Sequence, residues 1–488
     1  MTTSDGANDS TASPERPWSG RRLHIVGVGG AGMSGYVRAA SALGAEVSGS
    51  DQSMSPYVER LQADGVLQAR IGAHEAANVP AGEDVEVVYS SAVPPENPER
   101  VAARERGLRE RSRAELLGEL SALRRTIAVA GTHGKTTTSA MLVCALRAAG
   151  MKPDWLVGGS VGPGEANAHW AGEGEWLIVE ADESDRSMLM LDVEIAVLTN
   201  VELDHHATFG SLAELREAFR AFLGRARRAI VVWDRPELRE LAPDGIEVIV
   251  YDAPEPALAG GGSRFTWRGH EVVLSVPGAH NALNATAALE VARLAGADEG
   301  RAVAGLAEFH GAGRRFQLLG TSARGGCVYD DYAHHPTEVA ATLQAARTLE
   351  HERLVAVFQP HLFSRTQMFA REFGAALGQA DVMVVLDVYP ARERGEDHPG
   401  VTGLLVAQAA ADAGQGRPVY WLPAFADAEP VLRELLGAGD LCVVMGAGDV
   451  DALARRLVDS GDGVAGDGIA GGGIAGEATE KAVKTEDA

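Results

Sequence analysis

The sequence predicts an α/β protein of three domains, and three observations carry that prediction. The chain has 488 residues, too many for one hydrophobic core and suited to three domains of ordinary size. Short runs rich in Val and Ile alternate with alanine-rich stretches of helical period, the pattern of parallel strands joined by helices. Two glycine loops, near residues 27 and 131, each follow a strand and precede a helix, and one domain seldom needs both.

Taken in order, residues 1–20 are polar, rich in Ser, Thr, Asp and Pro, and read as a disordered tail. The first domain, 21–124, has candidate strands RLHIVGV, AEVSGSD and VEVVYSSA. The second, 125–312, has TIAVAG, WLIVEAD, IAVLTN and AIVVW, and within ALRAAGMKPDWLV the pair Gly150 and Pro153 ends a helix. The third, 313–460, has LVAVFQP, VMVVLDVY and LCVVMGAG. Residues 461–488, with the slipped repeat GDGVA, GDGIA and GGGIA, read as a second disordered tail.

Composition narrows the class. A hydrophobic fraction of 45% and a charged fraction of 23% belong to an ordinary globular protein. No apolar run approaches the ~18 residues needed to span a bilayer. The first residues lack the apolar core of a signal peptide, so a cytoplasmic chain without membrane insertion is expected. Cys144, Cys327 and Cys442 match neither a metal spacing nor a disulfide framework. The net charge of −24 argues against a nucleic-acid partner, which needs a positive field. An acidic protein that binds phosphates must build local positive pockets. Lysine occurs only at Lys135, Lys152, Lys481 and Lys484, while nearly every other cation is arginine. Lys135 therefore marks a place that needs a compact ammonium instead of a planar fork.

The first loop, Gly27-Val28-Gly29-Gly30-Ala31-Gly32, leads into a helix expected from near Met33. Its glycines let a diphosphate approach the helix N-terminal amides. Asp51, 19 residues past Gly32, is placed to accept a ribose hydroxyl. Read alone, the loop serves a nicotinamide dinucleotide, another diphosphate, or a tight turn with no ligand.

The second loop is more specific. In Gly131-Thr132-His133-Gly134-Lys135-Thr136-Thr137, backbone N–H groups would cradle phosphates, Lys135 would neutralise them, and the Thr136 hydroxyl would hold Mg2+. Val129 stands where the general P-loop pattern has its first glycine. Glu180, Asp182, Glu183 and Asp185 crowd the tip of WLIVEAD, and a divalent cation is the natural partner of such crowded acids. Glu202, Asp204, His205 and His206 follow the next strand, and Glu180 and His205 are the candidates for metal or phosphate duty.

Together, HIVGVGGAGMSG, GTHGKTTT, EADESD, TNVELDHH, PGAHNALNATAA, GAGRRFQ, DDYAHHPTE, FQPHLFSRT, DVYPARE and MGAGD resemble the Mur ligase family in order and spacing, over about residues 20 to 460. The resemblance implies a Rossmann-like N-terminal domain for a UDP-sugar, a P-loop-type central ATPase domain and a Rossmann-like C-terminal domain. VGGAGMSG and DDYAHHPTE point within the family to ATP-dependent joining of L-alanine to UDP-N-acetylmuramate through an acyl phosphate, or to a tripeptide-recycling relative with the same chemistry. Carried over, Gly29, Gly30, Ala31, Gly32, Met33, Ser34 and Asp51 would bind the UDP-sugar. Gly131, Thr132, His133, Gly134, Lys135, Thr136, Thr137, Asn281, Asn284, Arg315 and Asp331 would bind ATP. Thr136, Glu180 and His205 would bind magnesium. Tyr332, His334, His361 and Arg365 would form the amino-acid pocket, with Arg365 gripping the alanine carboxylate and His334 or His361 taking a proton from its ammonium. Leu362 departs from the arginine of many relatives. Lys152, in a turn before Pro153, is expected to carry no carbamyl group. The partners implied are small molecules only, for a monomer or homodimer.

Overall fold

The computed structural model describes residues 16–162, 164–204, 208–252 and 255–458. Residues 1–15 of the first expected tail and all of the second, 461–488, lie outside the described residues. Residues 16–20, read as tail, are instead part of the folded body. The Trp18 side chain is buried, the residue being 4% exposed, and its backbone N–H donates to the Leu43 carbonyl. A large indole beside the first strand outweighs the polar composition around it.

The first sheet is built from β1 (Arg22–Val26), β2 (Glu46–Asp51), β3 (Arg70–Ile71), β4 (Val85–Tyr89) and β5 (Arg109–Ser112), all parallel, in the order β3-β2-β1-β4-β5. Helices α1 (Ala31–Ala42), α2 (Pro56–Ala63), α3 (Pro98–Glu105) and α4 (Arg113–Ala122) connect or follow its strands. Helix α1 starts two residues before the expected Met33, because Gly30 is its extended N-cap. Ser112 and Glu115 form a reciprocal cap that starts α4.

The second sheet has the order β12-β11-β10-β6-β9-β7-β8 and comprises β6 (Arg125–Ala130), β7 (Asp154–Leu156), β8 (Ala168–His169), β9 (Trp176–Glu180), β10 (Val193–Leu198), β11 (Ala226–Trp233) and β12 (Glu247–Tyr251). Its central strands are buried on both faces, which explains their unbroken apolar runs. Helices α5 (Lys135–Ala148), α6 (Leu212–Leu223), α7 (Pro236–Arg239), α8 (Ala279–Leu294) and α9 (Glu299–Ala307) accompany it. A small antiparallel sheet, β13 (Ala257–Ala259), β14 (Gly262–Trp267) and β15 (His270–Leu274), precedes α8.

The third sheet, ordered β16-β17-β21-β18-β19-β20, contains β16 (Gln317–Thr321), β17 (Cys327–Asp331), β18 (Arg353–Phe358), β19 (Val382–Val385), β20 (Val419–Trp421) and β21 (Asp440–Met445). Only β16 runs antiparallel to its neighbour. Around it lie α10 (Pro336–Ala346), α11 (Phe363–Leu377), α12 (Gly403–Ala413), α13 (Phe425–Leu435) and α14 (Val450–Leu457). No described helix is long and apolar enough to cross a membrane. The loops at the C-terminal tips of β6, β9 and β10 face those after β17 and β18, and α1 presents its N-terminus to the same junction.

Candidate active site between the three sheets

The second glycine loop leaves β6 and enters α5. Gly131 has φ +130°, and a Cβ there would overlap the Thr199 hydroxyl. Gly134 has φ +81°, and a Cβ would lie 2.6 Å from Asn284 Oδ1. Only glycine suits both positions. Lys135 Nζ donates to Gly131 O at 2.6 Å, to Thr132 O at 3.2 Å and to both Glu183 oxygens at 2.9 and 3.0 Å. Burial works against its charge, but Glu183, Asp182 and Glu180 override that and raise its pKa. A guanidinium is too wide for this nest of two carbonyls and a carboxylate, which explains the isolated lysine.

Thr136 Oγ donates to Glu180 Oε2 at 2.9 Å, and that oxygen also accepts from Gly158 N–H at 2.7 Å. Asp182 lines the same cavity, and Lys135 and Arg113 beside it hold its carboxyl well below the usual range against the opposing effect of burial. Hydroxyl and carboxylate oxygens in one place form the hard donor set that suits Mg2+. His205, the third expected ligand, lies outside the described residues.

Asn281 and Asn284, from α8, share one cavity with Arg315 and Asp331 from the third sheet's side and with His133, Gly134 and Thr137 of the loop. The structure therefore brings these seven of the residues expected at ATP to one cavity, while Thr132, Lys135 and Thr136 line the adjoining one. Asn281 Nδ2 donates to Pro277 O at 2.7 Å. Asp331 accepts from the N–H groups of Phe316 and Ala333, each at 2.7 Å, and burial raises its pKa to about 6 although Arg315 and those N–H groups oppose the rise. His133 lies 3.1 Å from Glu338 and 3.4 Å from Glu202. Burial disfavours its charge, but the two carboxylates raise its pKa to about 9.

A second cavity joins Lys135, Thr136 and Glu180 to Tyr332, His334, His361 and Arg365. His334 Nδ1 must donate to Tyr332 O, 2.9 Å away, so its Nε2 carries the lone pair. His361 Nδ1 accepts from Arg365 Nη1 at 3.0 Å, which puts the proton of neutral His361 on Nε2. Burial lowers the His334 pKa to about 4, and burial with His334 and Arg365 nearby lowers that of His361 to about 3. Arg365 does not present the free fork expected for an amino-acid carboxylate. It is 2% exposed, and its Nε and Nη2 reach Asp204 Oδ1 at 2.9 and 2.7 Å. A carboxylate of the chain itself occupies the recognition edge. Leu362, at φ +71° and buried, turns the chain into α11.

The first loop opens on a third cavity, lined by Gly29, Ala31 and Gly32 together with Thr136, Glu180 and Arg315. Met33 and Ser34, expected at the UDP-sugar, instead bury their side chains: Met33 in the core, Ser34 under Asn167. Asp51 accepts from Gly29 N–H at 2.8 Å, so one of its oxygens braces the loop. Gly30 caps α1. Sequence reasoning missed Arg113, which holds Asp182 at 2.6 Å and Asp185 at 2.5 Å on the wall of this cavity. One arginine among many carries no local signal. Ser55 and Tyr57, on the same wall, were also missed. Lys152 pairs with Glu173 at the surface, away from the site.

A phosphate-type loop with an oxygen donor set beside it, and a second glycine loop facing it across a shared cavity, define a three-unit α/β nucleotide-binding protein. Three family models match the chain in succession: the Mur ligase family catalytic domain at residues 22–125, the Mur ligase middle domain at 129–292, and the Mur ligase glutamate ligase domain at 314–448. The chain belongs to the Mur ligase family. It is 43% identical to the UDP-N-acetylmuramate–L-alanine ligase of Nocardia farcinica (strain IFM 10152), covering 93% of this chain and 98% of that protein. With the enzyme of the same name from Thermobifida fusca (strain YX) it shares 44% identity, covering 90% and 96%. The crystal structure of the UDP-N-acetylmuramate–alanine ligase MurC from Thermotoga maritima superposes with a TM-score of 0.76 at 27% identity, over 89% of this chain and 98% of that one. A murein peptide ligase from Psychrobacter arcticus 273-4 shares the fold, with a TM-score of 0.67 at 24% identity over 90% and 98%.

Proposed function

We propose that this chain is an ATP-dependent ligase that joins L-alanine to the lactyl carboxylate of UDP-N-acetylmuramate, in a reducing cytoplasm, with domain boundaries near residues 124 and 313. One observation carries the reading: Arg315 lines all three cavities, and Thr136, Glu180 and Asp182 line two of them. A nucleotide, a sugar diphosphate and an amino acid placed in these cavities would meet at a single cationic and acidic centre.

In this scheme the lactyl carboxylate attacks the γ-phosphorus of ATP, forming a C–O–P bond as the β–γ bridge breaks and ADP leaves. The alanine amine then attacks the acyl carbon, and the tetrahedral intermediate expels inorganic phosphate. Lys135 and Arg315 hold the moving phosphoryl charge. Thr136 and Glu180, with His205, would hold Mg2+, which would supply further neutralisation of the phosphates. His334, whose Nε2 carries the lone pair and faces the amino-acid cavity's Asp204, is the group placed to take the proton of the alanine ammonium. His361, protonated on Nε2, is a donor. Seating of the third unit over the loop keeps water from the acyl phosphate.

The test measures phosphate release with ATP, UDP-N-acetylmuramate and each amino acid or a tripeptide in turn. Release stimulated most by free L-alanine supports the reading. Greater stimulation by the tripeptide, or none by any acceptor, overturns it.

A further inference from the structure

On the wall of the nucleotide cavity lies a cluster whose side chains take no part in the ligase steps above. His133, from the glycine loop, Glu202, after β10, and His335, at the start of α10, bring one ligand atom each to within 4.8 Å of one another. Two of the three edges are shorter: His133 Nε2 to Glu202 Oε2 is 3.4 Å, and His335 Nδ1 to the same oxygen is 3.6 Å. Tetrahedral zinc with bonds near 2.0–2.1 Å has ligand–ligand edges of about 3.3 Å. Small side-chain rotations would close the set.

The surroundings match those of a metal-binding histidine. The other nitrogen of His133, Nδ1, lies 3.1 Å from Glu338, the carboxylate partner that fixes the tautomer and ring plane of a ligating imidazole, and the ion replaces the Nε2 proton that Glu338 and Glu202 otherwise hold on this ring. Thr337 Oγ donates to Glu202 Oε2 at 2.7 Å and orients that carboxylate. His335 is 5% exposed and stays neutral, burial lowering its pKa to about 4. Its Nδ1 caps α10 through long hydrogen bonds from the first-turn N–H groups, that of Thr337 at 3.4 Å, and an ion would take that lone pair in their place. The Glu202 side chain is 40% exposed, which leaves a side open for water as a fourth ligand.

We propose that His133, Glu202 and His335 form a second metal site, selective for a zinc-type divalent ion over magnesium. Two imidazoles and one carboxylate are borderline ligands that favour Zn2+ or Co2+, whereas Mg2+ keeps to oxygen. The ligands come from two units, so an ion there pins the C-terminal unit to the glycine loop at the rim of the nucleotide cavity. The site is then one where zinc slows exchange of nucleotide.

Cobalt titration of the full-length chain, stripped with chelator and free of nucleotide, tests the site. One equivalent of Co2+ is expected to give the intense visible bands of tetrahedral coordination, unaffected by excess Mg2+. His335→Asn keeps a good helix cap, and Glu202→Gln keeps an acceptor for Thr337. Each is expected to weaken Co2+ binding at least about tenfold with the circular dichroism spectrum unchanged. Absence of tetrahedral bands, displacement by Mg2+, or unaltered affinity in either variant overturns the proposal. The readout is spectroscopic, so it stands or falls separately from the ligase reading.

Discussion

Replacing Arg365 by methionine separates two roles for this side chain. In the structure it is a strut: two of its nitrogens hold Asp204 Oδ1, and a third holds His361 through Nδ1 and the carbonyl. Removing one member of a buried ion pair costs about 3–5 kcal/mol, because the other charge is left in a poor solvent. Asp204 and Arg365 sit on different units, so the stranded carboxylate can escape to water if the C-terminal unit swings away. The cost then appears as a shift of the docking equilibrium by a factor of at least about one hundred, since 1.4 kcal/mol is tenfold. R365M is therefore expected to increase the radius of gyration in X-ray scattering and to raise KM for ATP and alanine together. D204N should do the same, and R365M/D204N should be milder than the sum of the two. A variant R365M with wild-type scattering and ATP KM, but a raised KM for alanine alone, would refute the strut and restore the carboxylate-binding role.

Lys135→Arg should lower acceptor-stimulated phosphate release by about 10²–10³, because the fork does not fit between Gly131 O, Thr132 O and Glu183; a rate near wild type contradicts that packing. Gly134→Ala places a methyl 2.6 Å from Asn284 Oδ1 at φ +81°, costing about 1–2 kcal/mol, and binding of a fluorescent ATP analogue should fall about tenfold or more. Glu99 is fully buried, yet hydrogen bonds from His24, Asn78, Ser50 and His74 override burial and hold its pKa at about 2, against 4.5 for a free glutamate. A depressed carboxylate contributes stability above the unfolded value and loses it as pH falls toward the folded one. About 3 kcal/mol should therefore disappear between pH 4.5 and 2 in chemical unfolding curves, and Glu99→Gln should flatten that slope.

The sequence made the central strands legible because strands buried on both faces must be apolar throughout. Every candidate strand it offered is present. Among the strands it did not offer are β7, β12, the small sheet β13 to β15, β16, β17, which ends in two aspartates, and the edge strands β3, β5, β8 and β20, whose half-exposed positions carry little hydrophobic signal. At the site, chemistry confined to a local loop was readable: Gly131 to Thr137 are close in sequence and in space. Pairings across units were not. Nothing near Arg365 in the sequence announces Asp204, 161 residues away, and nothing near Arg113 announces Asp182.

These pairings share an electrostatic logic. Three cations at the centre are neutralised by carboxylates of the chain: Lys135 by Glu183, Arg113 by Asp182 and Asp185, His133 by Glu202 and Glu338. In a protein of net charge −24, unpaired cations would gather any passing anion, whereas paired ones admit only a ligand that offers more than the carboxylate it displaces. A phosphate that takes Lys135 from Glu183 leaves that acid facing Glu180 and Asp182, so the exchange is favourable only when positive charge arrives with the phosphate. Nucleotide bound without a divalent cation should therefore be weak here, for reasons that lie in the acids as much as in the glycine loop.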